Sequence, residues 1–355
     1  MQTVVRARRA QDFLALVPQL VGVQPRNSLV VVCFRGSRSR AAVRFSLPGH
    51  GGDVANKRFV VSVIGTLCRL SAIDSIVPVV YTDESFGQPE GPPRAALVAR
   101  LAARARSAGF HLNDCLCVAR DAWGSYLGAG APAKGRSLSL ISASRLLEAL
   151  PAPLQRAPLS SEDHAAVPAP DPERAAAVAR ELRRLEQAAP CPEPDEPASR
   201  ALHTRILAAL TRAEGPADSP PSPSALAELV RWAQHPFVPP LLALTIGWPR
   251  GFGSLPPPGT AVNALSGHCA MSPDPERVTR AIAAIKYALS SAPRSAAVPL
   301  IPLLAWLYWS LGLGSVGQLL LDRLGRPPAD VHILAVILEP LIRSGQLPDW
   351  TFTRQ

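Results

Sequence analysis

The chain has 355 residues, 47% of them hydrophobic, which is enough for two domains that each bury a core. Only 18% of the residues are charged, and the 38 prolines concentrate in the middle of the chain, which argues against one continuous globule. The formal net charge is +10, so a nucleic-acid partner has to be considered.

The positive charge has two possible origins. Of the 37 basic residues, all but Lys57, Lys134 and Lys286 are arginine, and the codon use of a GC-rich genome produces such a bias. The charge is also uneven, because residues 1–44 hold eight arginines against the single acid Asp12, a net charge of +7. A basic N-terminal surface steers partners of many kinds, of which nucleic acid is one.

Residues 1–150 alternate helix and strand patterns and are predicted to form an α/β domain with a mixed sheet flanked by helices, in two or three layers. Pro78 lies within one predicted strand and indicates an edge or a bulge there. Asp53 is predicted to cap the helix that follows it. In chain order the predicted elements are a helix at Phe13–Val23, strands at Ser28–Phe34 and Ala41–Leu47, a helix at Val54–Leu70, a strand at Ser75–Thr82, a helix at Pro93–Gly109 and a strand at His111–Arg120.

Residues 151–223 are predicted to be a Pro/Ala-rich linker with two helices, the second at Ala198–Glu214. Residues 224–355 are predicted to be an all-helical domain of tetratricopeptide-like hairpins. The signature Asp-Pro-Glu, at Asp171 and again at Asp274, marks two helix starts. The final helices are predicted at Pro299–Leu311, Ser315–Leu324 and Ala329–Ser344.

The longest uncharged stretch, Ala296–Leu321, could cross a bilayer by length alone. Two prolines at its start and three glycines in its second half divide it into two helices, each too short to span. Six cysteines are scattered without the spacing of a metal site, and no secretion signal is found. The sequence therefore predicts a cytoplasmic protein without membrane contact, metal or cofactor, with cysteines buried in apolar surroundings.

One candidate ligand site combines residues that follow predicted strands. Asp83 and Glu84 end one strand and Asp121 follows another, where open α/β sheets bind ligands. Arg35 and Arg38 lie in a turn that could supply forked donors to a nucleotide or phosphate. The alternatives are a solvated loop for the carboxylates and a plain hairpin turn for the arginines.

The aromatic residues Trp306, Tyr308 and Trp309 form the second candidate site, in the apolar C-terminal hairpin. They are either core residues or the lining of a groove that binds a protein partner, and the sequence leaves both alternatives open.

The run LALVPQLVGVQPRNSLVVV (14–32) resembles the opening of the DUF4192 family, a largely high-GC bacterial family of unassigned activity. The stretches Val79–Glu84 and Trp123–Tyr126 are similar to later landmarks of that family, and the resemblance covers 1–150 and 224–350. It implies no catalytic residue, so no functional role passes to this chain.

The leading hypothesis is a cytoplasmic, non-enzymatic interaction or regulatory protein whose helical module binds another protein. The alternative is an enzyme or switch that binds a nucleotide or phosphate ligand at the strand ends of the α/β domain. A third hypothesis is non-specific nucleic-acid binding through the basic N-terminal region.

Overall fold

The structure, a computed structural model, describes residues 5–49, 52–87, 91–128, 132, 134–188, 208, 211, 221–248, 258–324 and 333–353. The chain divides into two compact units, Met1–Asp163 and His164–Arg354. The first contains a mixed sheet with flanking helices, as predicted, and the second is built mostly of helices. Nearly all of the predicted helix Ala198–Glu214 lies outside the described residues.

The sheet of the first unit has the strand order β2-β1-β3-β5-β6, and the short β4 also pairs with β3. β1 is antiparallel to both β2 and β3, whereas β3 is parallel to β4 and β5, and β6 returns antiparallel to β5. The strands are β1 (Ser28–Arg35), β2 (Arg38–Ser46), β3 (Ser75–Tyr81), β4 (His111–Leu112), β5 (Leu116–Val118) and β6 (Trp123–Ser125).

Helices cover both faces of this sheet. Val30 and Val32 pack with Leu14 and Val17 of helix α1 on one face, while the alternate residues of β1 point to the other face and are buried as well. The near-continuous apolar run of β1 follows from burial on both sides. The helices of the first unit are α1 (Ala10–Val21), α2 (Asp53–Cys68), α3 (Ala95–Ser107), α4 (Ser139–Ser142), the 3₁₀ helix Arg145–Ala149, α5 (Ala152–Gln155) and the start of α6 (Ser161–Ala165).

Of the two alternatives predicted for Pro78, an edge or a bulge, the edge is wrong, because β3 is an interior strand with β1 on one side and β4 and β5 on the other. The irregularity lies in the adjacent strands, β4 and β5. Ile76 pairs with Leu112 and Val79 with Leu116, so the register moves by one residue opposite Pro78. The single predicted strand at 111–120 is divided at that point, where a proline has no N–H to donate.

Helix starts follow local chemistry closely. The Asp274 carboxylate accepts hydrogen bonds from the N–H groups of Glu276 and Arg277 at 3.0 and 3.2 Å, as predicted for an N-cap. Asp171 caps its helix in the same way. Asp53 is not the cap that the sequence predicts: Gly52 precedes the helix, and Asp53 is its first residue.

The second unit has one continuous core in which the tryptophan side chains touch edge to face. Ring centroids of Trp248 and Trp350 lie 5.6 Å apart, and those of Trp309 and Trp350 lie 6.0 Å apart. The helices are α7 (Pro172–Ala188), α8 (Pro223–Ala233), α9 (Val238–Gly247), α10 (Pro258–Leu265), α11 (Pro275–Ser291), α12 (Arg294–Ala297), α13 (Leu300–Ser310), α14 (Gly314–Leu324), α15 (Ile333–Arg343) and α16 (Trp350–Thr353).

None of the helices in the described part of the chain combines the length and the apolar character needed to cross a membrane. The uncharged stretch 296–321 is divided among α12, α13 and α14.

Candidate functional site

The predicted carboxylates do meet at one end of the sheet, but each is bound by another group of the chain. Asp83 accepts a hydrogen bond from the Asn27 side-chain amide at 2.5 Å, and the Asp83 N–H donates to Asn27 Oδ1 at 3.1 Å. The carboxylate of Asp121 accepts from the N–H of Phe86 at 2.8 Å. These contacts close the loop that follows β3, so they account for both aspartates structurally.

Glu84 forms an ion pair that the sequence did not reveal. Its Oε1 accepts from Arg94 Nε at 2.5 Å, with 33% and 16% of the two side chains exposed. Arg94 also donates to the carbonyl of Pro48 at 3.1 Å and has a φ of +64°, which is unusual for a residue other than glycine. The pair thus ties the loop before α2 to the end of β3.

The predicted arginines lie at the opposite end of the sheet. β1 runs antiparallel to β3, with Ser28 beside Tyr81 and Phe34 beside Ser75. Arg35 ends β1 and Arg38 begins β2, so both lie at the far end of β1. At about 3.3 Å per residue, the length of β3 separates them from the carboxylates by about 20 Å. The prediction of one site that combines the arginine turn with Asp83, Glu84 and Asp121 is wrong.

The arginine turn is organised by Asp74 instead. The N–H of Gly36 donates to Asp74 Oδ2 at 2.7 Å, and Gly36 has the positive φ, +59°, that this tight turn requires. This hydrogen bond, with a second from the Ser75 hydroxyl, lowers the pKa of the Asp74 carboxyl. The geometry is that of a hairpin turn.

The aromatic residues Trp306, Tyr308 and Trp309 belong to the core of the second unit. They are 0%, 4% and 1% exposed. Their polar atoms are bound internally: Trp306 Nε1 donates to the Leu265 carbonyl at 2.9 Å and the Tyr308 hydroxyl to the His164 carbonyl at 2.6 Å. The structure therefore supports the core alternative, since side chains buried to this degree offer no surface to a partner.

Three of the four cysteines of the first unit are buried as predicted, whereas Cys68 is exposed and the prediction is wrong for it. Burial raises the pKa of Cys33, Cys115 and Cys117 to about 12 in each case. A buried thiol with so high a pKa is a poor nucleophile at neutral pH. In the described part of the chain no three acidic, histidine or cysteine residues are grouped as a metal site would need.

A cleft that sequence analysis missed lies between α1 and the segment 138–158, on the face of the sheet that α1 covers. Its volume is about 270 Å³. The sheet supplies Tyr81 and Val118 to the lining, and no charged residue takes part. The remaining lining residues are Leu14, Ala15, Pro18, Gln19, Gln24, Leu138, Ile141, Ser142, Leu147, Ala157 and Pro158.

Tyr81 is the most unusual residue of this cleft. It is 6% exposed, yet no described residue forms a hydrogen bond with its hydroxyl. The hydroxyls of Tyr126 and Tyr308, by contrast, each donate to a backbone carbonyl at 2.6 Å. Ser28, directly opposite Tyr81 in the antiparallel ladder, has a second buried hydroxyl that no described residue contacts through a hydrogen bond.

Three hydrogen bonds hold the outer wall of the cleft in place. Gln19 Nε2 donates to the Arg156 carbonyl at 2.7 Å, and the Ser144 hydroxyl donates to the Asp12 carboxylate at 2.7 Å. The N–H of Gln24 donates to the Leu159 carbonyl at 2.9 Å. Part of the segment that sequence composition identified as linker therefore forms a wall of the cleft.

Burial raises the pKa of the Tyr81 phenol above its usual range, so the group is neutral at every physiological pH. It can donate one hydrogen bond and accept others inside a largely apolar enclosure. An uncharged polar group with unused hydrogen-bonding capacity in a concave apolar site is the usual form of a small-molecule pocket.

The fold and the cleft define an α/β protein with an uncharged, ligand-sized site beneath its first helix. Residues 11–246 match the family described as Domain of unknown function (DUF4192), and this chain belongs to that family. Every residue that lines the cleft lies within the matched span. No curated protein and no solved structure matches the chain.

Proposed function

We propose that this protein is a non-enzymatic regulatory protein whose α/β unit binds a small uncharged molecule. The observation that carries the proposal is a cleft of about 270 Å³ that is lined by Tyr81, whose buried hydroxyl has no partner among the described residues. A buried hydroxyl without a hydrogen bond costs stability, and a ligand that completes the bond recovers that cost.

The alternative of a nucleotide or phosphate site at the strand ends has less support. Such a site needs cationic donors near the phosphate. At that end of the sheet Arg94 is already paired with Glu84 and Arg120 donates to the Ser85 hydroxyl, while the turn with Arg35 and Arg38 lies at the other end of β1. Asp83 and Asp121 contribute to loop closure through their own hydrogen bonds.

Protein binding by the helical unit remains part of the proposal, as does a cytoplasmic location. Helix α13 packs on α14 across the short connection 311–313, which favours the interpretation as tetratricopeptide-like hairpins. Because Trp306 and its neighbours are buried, a partner has to use other side chains, such as the exposed Phe237 and Val336. The five described cysteines are free thiols, which suits a reducing compartment.

Thermal-shift screening of the full chain with neutral aromatic and aliphatic fragments tests ligand binding. The variant Ala157→Trp places a large side chain in the wall of the cleft at an exposed position, and Ala152→Trp is the matched control at an exposed position outside the lining. Fragments should raise the melting temperature of the wild type and of Ala152→Trp, because a ligand selective for the folded state stabilises it.

Ala157→Trp should show none of these shifts. The proposal is refuted if no fragment stabilises the wild type, or if fragments stabilise Ala157→Trp as much as the control.

A further inference from the structure

We infer that the cleft selects neutral carbonyl compounds, and that the Tyr81 hydroxyl donates the hydrogen bond that recognises the carbonyl oxygen. This inference rests on the proposed function, because it names the chemical class of the ligand for the same site. It follows from the size of the cleft, its lack of charge and the hydrogen-bonding groups that remain unused.

The size of the cleft limits the ligand to a small molecule. An engineered apolar cavity of about 150 Å³ holds benzene. The volume here, about 270 Å³, therefore accommodates one ring with a short substituent. Leu14, Val118 and Ile141 provide apolar contacts for such a ring.

The lining excludes charged ligands. It contains no acidic, basic or histidine side chain, so a carboxylate, phosphate or ammonium group would lose its hydration without gaining a counter-charge. A neutral polar group loses far less on leaving water, and one good hydrogen bond compensates for that loss.

The remaining polar capacity favours a hydrogen-bond acceptor on the ligand. The Tyr81 phenol has a raised pKa and keeps its proton, so it is a permanent donor. A carbonyl oxygen has two lone pairs and no hydrogen of its own, and thus matches a donor of this kind.

Three probes of nearly equal size separate these requirements: acetophenone, a neutral carbonyl compound; ethylbenzene, which lacks the acceptor; and benzoate, which is an anion. Binding of each to the full chain is measured by NMR titration. The wild type should bind acetophenone about 10-fold more tightly than ethylbenzene, the effect of one buried hydrogen bond. Benzoate should bind at least 10-fold more weakly than acetophenone.

Tyr81→Phe keeps the ring and removes the donor, so the affinity ratio of acetophenone to ethylbenzene should fall to about one. Tyr126→Phe is the matched control. Its hydroxyl is engaged with the Pro93 carbonyl, and its loss should leave the ratio unchanged. The inference is overturned if both neutral probes bind the wild type equally, if Tyr81→Phe keeps the preference, or if benzoate binds as tightly as acetophenone.

Failure of the proposed function gives a different result. In that case none of the three probes binds the wild type, or binding persists in Ala157→Trp. Binding of ethylbenzene and acetophenone with equal affinity, abolished in Ala157→Trp, would support a ligand site and refute only the role of Tyr81.

Discussion

Replacing Tyr81 by phenylalanine should stabilise the ligand-free protein, the reverse of the usual effect of removing a buried polar group. The side chain is 6% exposed, and no described residue forms a hydrogen bond with its hydroxyl. Folding therefore removes the hydroxyl from water without replacing its hydrogen bonds. Phenylalanine keeps the ring in the core cluster that also contains Val30 and Val79, and it avoids this cost.

The magnitude follows from the cost of an unsatisfied buried polar group, about 1–3 kcal/mol. We expect a gain of about 1 kcal/mol, at the lower end of that range. For a unit of 150–250 residues this corresponds to an increase of about 2–4 °C in melting temperature. Tyr126→Phe, in the same unit, removes a hydroxyl that donates at 2.6 Å to a carbonyl and should lose about 1 kcal/mol.

Hydrogen exchange measured by mass spectrometry on peptides from β1 and β3 reports the unfolding of this unit alone. The two variants should differ by about 2 kcal/mol in the free energy of opening, with opposite signs relative to the wild type. A loss of stability in Tyr81→Phe equal to that in Tyr126→Phe would show that the Tyr81 hydroxyl is hydrogen-bonded in the folded protein. The cleft would then lose its distinguishing feature.

Three other predictions concern the scaffold. Gly267→Ala should destabilise the second unit by more than about 2 kcal/mol, because a Cβ at that position would lie 2.7 Å from Trp309 and the φ is +82°. Gly312→Ala, with a φ of +86° and open space around it, is the control and should cost about 1 kcal/mol by thermal or urea unfolding. Because the pKa of the Asp74 carboxyl is lowered in the folded chain, its ionised form stabilises the fold fully above the usual pKa of 3.8, and this stabilisation is lost as the pH falls through the pKa of the folded state. In an acid titration, the free energy of unfolding of Asp74→Asn should therefore lack this loss. A maleimide reagent at neutral pH should modify Cys68, the exposed thiol of the first unit, first. The buried thiols should react only on unfolding, and equal rates would contradict their raised pKa.

Local patterns were sufficient to predict most elements of the fold. β1 is a run of apolar residues buried on both faces, and composition alone indicates such a strand. The helix starts at Asp171 and Asp274 depend on a side-chain oxygen and the N–H groups two and three residues later, so they too are visible in the sequence.

The predictions were wrong where contacts with residues far along the chain determine the local structure. Pro78 indicates an edge strand by its own chemistry, but its neighbours β4 and β5 shift register opposite it and leave β3 in the interior. Asp53 has the chemistry of a cap, yet it is drawn into ion pairs with Lys57 and with Arg100 of α3. The pair with Lys57, four residues later on the same helix, is visible in the sequence, whereas the pair with Arg100 is not.

The candidate site could be predicted only in part, for a related reason. That Asp83, Glu84 and Asp121 meet follows from the parallel pairing of β3 with β5, which the alternation of strands and helices suggests. That Arg35 and Arg38 lie elsewhere depends on the antiparallel direction of β3 relative to β1, which composition does not determine.

The cleft shows what a search by residue type overlooks. Asp83 has the chemistry expected of a functional residue, and it lies only two positions after Tyr81, which looks like an ordinary strand aromatic. In the folded chain the aspartate is bound to Asn27, whereas the tyrosine hydroxyl has no hydrogen-bond partner among the described residues. A polar group that is hydrogen-bonded within the fold is explained by its contribution to stability. A buried polar group without a hydrogen bond lowers the stability of the fold, so its presence needs another explanation. Tyr81 is for this reason a stronger functional candidate than Asp83, although the sequence favours the reverse.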